Sequence, residues 1–362
     1  MTLASLAHLQ IRQLLLRSLI LVCLGVTSGC SPFFVMRAGY EESRILLGKK
    51  PITKVIEKTA NQKTKAKLEL VQQARSFAAA LGLKPRGSFT EYYDIQRDVL
   101  VWVLSATPKF SFEPYTWWFP IVGSMPYRGY FSKTAGINAA KVLAAKNYDT
   151  FLRSSAAFST LGWFDDPLLS TTLAADEVAL VDTVIHEIVH NTIWVKDNVF
   201  FNETMANVIG GLGAYEFFKA RGDLVNAAIA EKRIAREKKF SEFIQTTKTQ
   251  LITLFQENIA ARDQELRKQE ILEAAVRNWD EIHILVMGEK LKNPLVLNNA
   301  AIIAYEIYLK DYQKFHDYVT ARKSQNTTYD LAQFIAELEK LARLADSEQV
   351  DPYSLLNAKL NP

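Results

Sequence analysis

Two histidines stand four residues apart in the stretch VDTVIHEIVHNTIW, Val181 to Trp194, with Glu187 beside the first. The chain has only five histidines, so the clustering asks for a chemical reason. On an α-helix, residues i and i+4 share a face, and His186 and His190 can therefore offer two imidazole nitrogens to one point. Zinc accepts neutral imidazole nitrogens, and a catalytic zinc keeps three protein ligands and an open position for water. Glu187 can lean over that open position and take a proton from the water, which is the logic of the H-E-x-x-H pattern. The other reading is a helix that merely carries two polar residues. Val184, Ile185, Ile188, Val189 and Ile193 weigh against it. They make the helix apolar on most sides, and a buried helix must satisfy its His, Glu and His.

A third ligand is required. The other histidines after the N-terminal region, His283 and His316, lie far along the chain. Glu203, in FNETMA, follows His190 by 13 residues and stands near the start of the next helical pattern. The short segment NTIWVKDNVF lets that helix return antiparallel, which turns Glu203 towards the histidine pair. The expected site is one zinc per chain on His186, His190 and Glu203. Asn207, one turn beyond Glu203, is placed to support a ligand histidine with a hydrogen bond.

The elements that must hold these groups can be read from periodicity. ADEVALVDTVIHEIVHNTIW reads as one helix, with acids in its first turn where the dipole favours them. FNETMANVIGGLGAYEFFKARG reads as a second. Before them, VLVWVLSA, TWWFPIVG, YRGYF and TFLRSSAAFST are aromatic and β-branched and read as strands, with AGINAAKVLAAK as a helix. LGWFDDPLLST reads as a loop. FFVMRAGYEESRILLGKK and KLELVQQARSFAAALGL are helical in pattern. After the metal helices come a long charged helix over roughly Lys232 to His283, then NNAAIIAYEIYLKDYQKFHDYV and TTYDLAQFIAELEKLARLA. The fold class is α+β and mostly α: a small sheet packed on a helical catalytic lobe, with a helical C-terminal region. The expected division is 1–29 leader, 30–85 helical segment, 86–222 catalytic core and 223–362 helical lobe closing the cleft.

The leader is read from three features. Arg12 and Arg17 are basic, SLILVCLGV is a short apolar core, and TSGC sets small residues before Cys30. This reads as a bacterial secretory signal, too short to span a bilayer, which takes roughly 20 residues. Small residues before a cysteine resemble a lipobox, which implies cleavage before Cys30 and lipidation of its thiol. Cys23, the other of two cysteines, falls inside the signal, so the mature chain cannot form an internal disulfide. Ser31 is not an acidic retention residue, and by resemblance to the bacterial sorting pattern the expected location is the outer membrane, facing the periplasm. The net charge of +4 is spread along the chain without a basic block, and nucleic acid is not an expected partner.

His186-Glu187-x-x-His190 followed by Asn202-Glu203-x-x-Ala206 resembles the gluzincin metallopeptidases, with a shorter spacing between the motifs than in most of them. More narrowly, PKFSFEPYTWWFPIVGSMPYRGYFS, STLGWFDDPLLST, HEIVHNTIWVKDNVFFNETMA and LNNAAIIAYEIYLKDYQKF resemble the family of bacterial predicted aminopeptidases. The resemblance implies a zincin-like core and a zinc-dependent peptidase, with Glu187 as general base. It also implies a phenol or imidazole donor to the oxyanion from outside the metal helices. Tyr308 is the first choice, because the resemblance extends to its segment, and Tyr130 the second. In peptidases of this class an edge strand pairs with the peptide backbone, and FPIVGSMPYRGYF is the candidate. An exopeptidase must also hold a free α-amine, for which Glu113, Asp165 and Asp166 are the candidate carboxylates. Two alternatives stay open: a zinc endopeptidase of the same mechanism, and a non-catalytic metal-binding envelope lipoprotein.

Overall fold

Asp176 starts the helix of the histidine pair by accepting a hydrogen bond from the Ala179 amide at 3.0 Å. It satisfies one of the amides that every helix N-terminus leaves without a partner. The computed structural model describes residues 40–41, 43–119, 123–155 and 165–360. Their fold is α+β and mostly helical. The first part of the chain holds β1 (Lys50–Pro51), α1 (Ile52–Lys58), α2 (Gln62–Ala80), β2 (Glu91–Tyr93) and β3 (Val101–Pro108). Next come β4 (Trp117–Phe119), β5 (Gly123–Met125), β6 (Arg128–Tyr130), α3 (Lys133–Ala144), β7 (Tyr148–Ser155) and β8 (Leu168–Leu169). The remainder is helical: α4 (Ser170–Leu173), α5 (Glu177–His190), α6 (Val199–Ala220), α7 (Leu224–Phe255), α8 (Ala261–Met287), α9 (Asn299–Leu309), α10 (Tyr312–Gln325), α11 (Leu331–Glu348) and α12 (Pro352–Leu360). Residues 40–41 and 43–48 are also helical.

The strands form three small sheets where the sequence suggests one. β3 is central in an antiparallel sheet of order β6-β3-β7, β4 and β5 form a hairpin, and β2 lies between β1 and β8. The expected single helix over Lys232 to His283 is two helices, α7 and α8, which double back on each other. Their turn contains neither Gly nor Pro and shows no break in the charged amphipathic pattern. Packing makes it: Trp279 of α8 is fully buried between Phe240 and Phe243 of α7, ring centroids 4.5 and 5.2 Å away. NNAAIIAYEIYLKDYQKFHDYV likewise divides, at Asp311, whose φ of 55° is left-handed. Aspartate visits that region more readily than most residues.

α5 and α6 are the centre of the molecule. Val178, Leu180, Val181, Val184, Ile185, Ile188 and Val189 bury α5 on nearly every side, and one core runs from Ile52 to Leu356 around it. Close approach of the two helices depends on glycine. A Cβ on Gly210 would run into the Asp182 carboxylate and come within 3.0 Å of the Asp182 carbonyl and 3.2 Å of His186 Cβ. At Gly213 the obstacle would be the Ile185 side chain at 2.9 Å.

The loop between α5 and α6 is closed by one side chain. Asn202, fully buried, donates from Nδ2 to the Val195 carbonyl at 2.7 Å and accepts from the Val195 amide at 2.9 Å. A single amide thus satisfies both backbone polar groups of a buried residue. It also sets the start of α6, and with it Glu203, the next residue. On the opposite side of the site, Asn298 and Asn299 tie the start of α9 to the sheet. Asn298 donates to the Thr150 carbonyl of β7 at 3.1 Å, and Asn299 donates to the carbonyls of Pro108, Lys109 and Ser111 at 3.0–3.2 Å. The far end of α9 is capped from α6 and α7. The carbonyls of Ile307, Tyr308 and Leu309 accept from Thr204, Asn207 and Ser241 at 3.5, 3.2 and 2.7 Å. These are carbonyls that a helix end leaves unsatisfied.

Replacing Asn202 with Ala leaves a buried amide and carbonyl without partners. The expected loss is about 2–4 kcal/mol by urea denaturation. Lys196→Ala, on the exposed part of the same loop, should stay within about 0.5 kcal/mol of the wild type. Equal stability of the two variants would show that the loop is not held this way.

Candidate active site

His186 and His190 lie on one face of the last turns of α5, and Glu203 faces them from the second turn of α6. The two Nε2 atoms are 3.2 Å apart. Glu203 Oε2 lies 3.3 Å from His186 Nε2, and Oε1 lies 3.7 Å from His190 Nε2. Atoms at corners of a tetrahedral zinc site, each about 2.0–2.1 Å from the ion, stand roughly 3.3 Å apart. The donor types fit such an ion, and the Nε2–Nε2 and His186–Glu203 spacings match it closely. His190 and Glu203 are buried, and His186 and Glu187 are half-buried.

Charge in this site is tightly constrained. Burial would raise the Glu203 carboxyl, but the His190 and His186 charges and hydrogen bonds outweigh it and hold the group well below the usual carboxylate range. Burial likewise works against a charged His186. The hydrogen bond with Glu203 and the charges of Glu187, Glu203 and Asp182 reverse that, raising it to about 9. Glu187 follows His186 directly. Its Oε2 is buried with no hydrogen-bond partner among the described residues. An unsatisfied buried carboxylate oxygen is costly unless something binds there.

The sheet supplies the facing wall. Tyr308, in the last turn of α9, has its ring 6.3 Å from that of His186. Its hydroxyl accepts from Arg153 of β7 at 3.4 Å. Burial and the Glu203 charge push the phenol up to about 12, so it keeps its proton as a donor. Tyr127, just before β6, is pushed well up by burial and by the charges of Glu203 and Tyr308. Trp194 closes the end of α5 with its ring 5.7 Å from that of His190. A concavity of about 570 Å³ lies elsewhere, lined by Glu265, Lys268 and Arg277 among others.

Strand parity decides which tyrosine of MPYRGY meets the site. Side chains alternate between the faces of a strand. Tyr130 packs with Leu104, Trp117 and Leu152 on the face towards α3, so it points away from the histidines. Tyr127 has the opposite parity and packs beside Val101 and Val103, on the side that also carries Arg153. The sequence reading passed over Tyr127 and Arg153. The available signal was a charge at position 153, two residues from Phe151 and so of the same parity on the strand.

Other expected residues have different work. The Asn207 amide nitrogen donates to Glu237 at 2.9 Å and to the Tyr308 carbonyl, not to a histidine. It reaches the site only by holding the end of α9. Asp165 accepts from the Gly87 amide at 2.9 Å and fixes a turn, and the Asp166 carbonyl accepts from Phe89 at 2.8 Å. Glu113 is exposed, in a loop whose Phe112 rests on Phe255 of α7. None of the three carboxylates is brought to the histidines. The candidate edge strand falls on β4, β5 and β6, with residues 120–122 outside the described residues. Cys30 and the leader also lie outside them.

With this geometry in place, comparison with known proteins gives one match. A family model described as "Putative aminopeptidase" covers residues 33–351, and the chain belongs to that family. No curated protein and no solved structure matches the chain.

Metal analysis is expected to find one zinc per wild-type chain and a large loss in His186→Ala and Glu203→Ala. Full retention in both would remove the site. In the metal-free protein His186 holds a proton below about 9, and zinc must displace it. Apparent zinc affinity should therefore rise with pH from 7 towards 9 and level off above, with proton release on binding. A flat profile over that window would contradict the His186–Glu203 coupling.

Proposed function

We propose that this member of the family is a zinc-dependent peptidase acting as an aminopeptidase, with its metal on His186, His190 and Glu203. The observation that carries the reading is the convergence of two imidazole nitrogens and a carboxylate, 3.2–3.7 Å apart, beside a Glu187 oxygen without a partner. A closed structural metal site would use four protein ligands and has no need of that glutamate. Zinc, when bound, supplies a Lewis acid that acidifies water and polarises the scissile carbonyl.

The chain's own groups divide the remaining work. Glu187 takes the proton from the attacking water and later passes it to the leaving amine. Tyr308 keeps its phenolic proton and donates to the oxygen that gains negative charge. Arg153, bonded to the Tyr308 hydroxyl, orients it and adds positive potential at that wall. Tyr127 is a second protonated phenol on the same side. The β4–β5 hairpin offers backbone for an extended peptide. Gly123, the first residue of β5, with φ of 74°, comes close to the loop after α5, a Cβ there standing 4.0 Å from Asp197 Oδ1.

Exo-cleavage is supported by the family's description. The anchor that such cleavage needs for an α-amine is not provided by Glu113, Asp165 or Asp166. The leader pattern and Cys30 support a lipid-anchored enzyme at the outer membrane, facing the periplasm. No helix among the described residues is long and apolar enough to cross a membrane.

Glu187→Gln is nearly isosteric and cannot act as a base. It should keep zinc and lose about 10²–10⁴-fold in hydrolysis of a peptide library. Turnover near that of the wild type would exclude the base role. For the anchor, labelled fatty acid should enter the wild-type chain in a bacterial host and not Cys30→Ala, since stable tethering takes two or more acyl chains. Equal labelling of both would remove the lipid anchor.

A further inference from the structure

Arg153 presents a chemical problem that the proposed reaction does not resolve. It stands on the inward face of β7, half-buried, two residues from Phe151, which packs on Ala300, Ala301 and Ala304 of α9. A guanidinium has five N–H donors in a planar fork. Among the described residues it makes one hydrogen bond, to the Tyr308 hydroxyl at 3.4 Å, and Cζ lies 5.6 Å from the centre of that ring. Among the described residues no carboxylate lies within ion-pair distance of it. The site's own carboxylates, Glu187 and Glu203, are committed to the base and to the histidines.

An arginine fork held without a carboxylate beside the histidine site is a receptor for one, because its geometry matches two carboxylate oxygens at once. We propose that Arg153 binds a carboxylate of the substrate, so that the enzyme prefers short peptides with an anionic group close to the scissile bond. The inference rests on the peptidase reading above. Its reach follows from the spacer. Tyr308 lies between the two groups, its ring 6.3 Å from the His186 ring and 5.6 Å from Arg153 Cζ. The guanidinium is thus no more than about 12 Å from the imidazole, roughly three residues of extended chain. The carboxylate is either the C-terminus of a di- to tetrapeptide or an acidic side chain near the cut.

The test is a binding measurement that needs no turnover. Zinc-loaded Glu187→Gln protein is titrated by calorimetry with trialanine, with trialanine amide, and with an amidated tripeptide bearing Asp at its second position. Trialanine is expected to bind at least about tenfold tighter than its amide, as a charge-assisted bidentate contact requires. If the Asp peptide matches trialanine, the site accepts a side-chain carboxylate; if it matches the amide, the C-terminus is the ligand. The preference should vanish in Glu187→Gln/Arg153→Gln and survive in part in Glu187→Gln/Arg153→Lys, which keeps the charge without the fork. Equal binding of all three peptides by the Arg153-containing protein overturns the proposal, as does a preference that survives Arg153→Gln. Both results are independent of folding defects in the variants or of whether the wild type hydrolyses peptides. If carboxylate binding is found and no library peptide is cut, the subsite stands and the peptidase reading falls.

Discussion

The buried carboxylate of Glu203 sets the terms for the rest of the molecule. A lone carboxylate in a protein interior is strongly disfavoured and normally takes up a proton. Here two imidazoles lie within 3.3 and 3.7 Å and hold it ionised. That balance works only if α5 and α6 lie close, which explains glycine at 210 and 213. It also demands that both helices be enclosed, which the surrounding helices from α2 to α12 provide. The apolar mass of the chain is thus arranged around a small polar knot that water would otherwise dissolve.

The site has two halves of different origin. The helical half carries histidines and carboxylates and is built from residues close in sequence. The sheet half carries a guanidinium and phenols from β7, the residue before β6, and α9, far apart in sequence. They are aligned by asparagines. Asn298 and Asn299 attach the start of α9 to the sheet, and Asn207 secures its end to α6. Tyr308 is consequently fixed from both ends of a short helix, a good basis for a donor whose usefulness depends on position.

How much of this could be read from residues alone differs between the halves. The i, i+4 pair, the adjacent acid and the returning glutamate are local patterns, and the sequence states local patterns directly. Tyr308 is legible through family resemblance and not through periodicity. That Tyr127 and not Tyr130 shares a face with Arg153 depends on register with β3, which no single strand reveals. Arg153 was passed over for the same reason. The two missed helix breaks, between α7 and α8 and at Asp311, carry no Gly or Pro. They arise because tertiary packing on Trp279, and side-chain capping of three carbonyls, outweigh a continuous helical pattern. Asp165 and Asp166 beside Pro167 read equally well as ligands or turn residues, and hydrogen bonding to the 87–89 turn decides it.

The Asn202 clamp on Val195 has a consequence for how this chain can diverge. Because α6 is indexed on Val195 by an amide one residue before Glu203, the phase of the helix does not depend on the length of the connection. Residues inserted at Lys196 and Asp197, which are exposed, can bulge outwards and leave the glutamate where it is. One residue inserted between Asn202 and Glu203 turns every later side chain of α6 by about 100°. Length variation among natural homologues is therefore expected at the tip of this connection, with the Asn-Glu pair itself inseparable. The insertion-tolerant stretch would be the place for a lineage to remodel the mouth of the cleft without touching its chemistry.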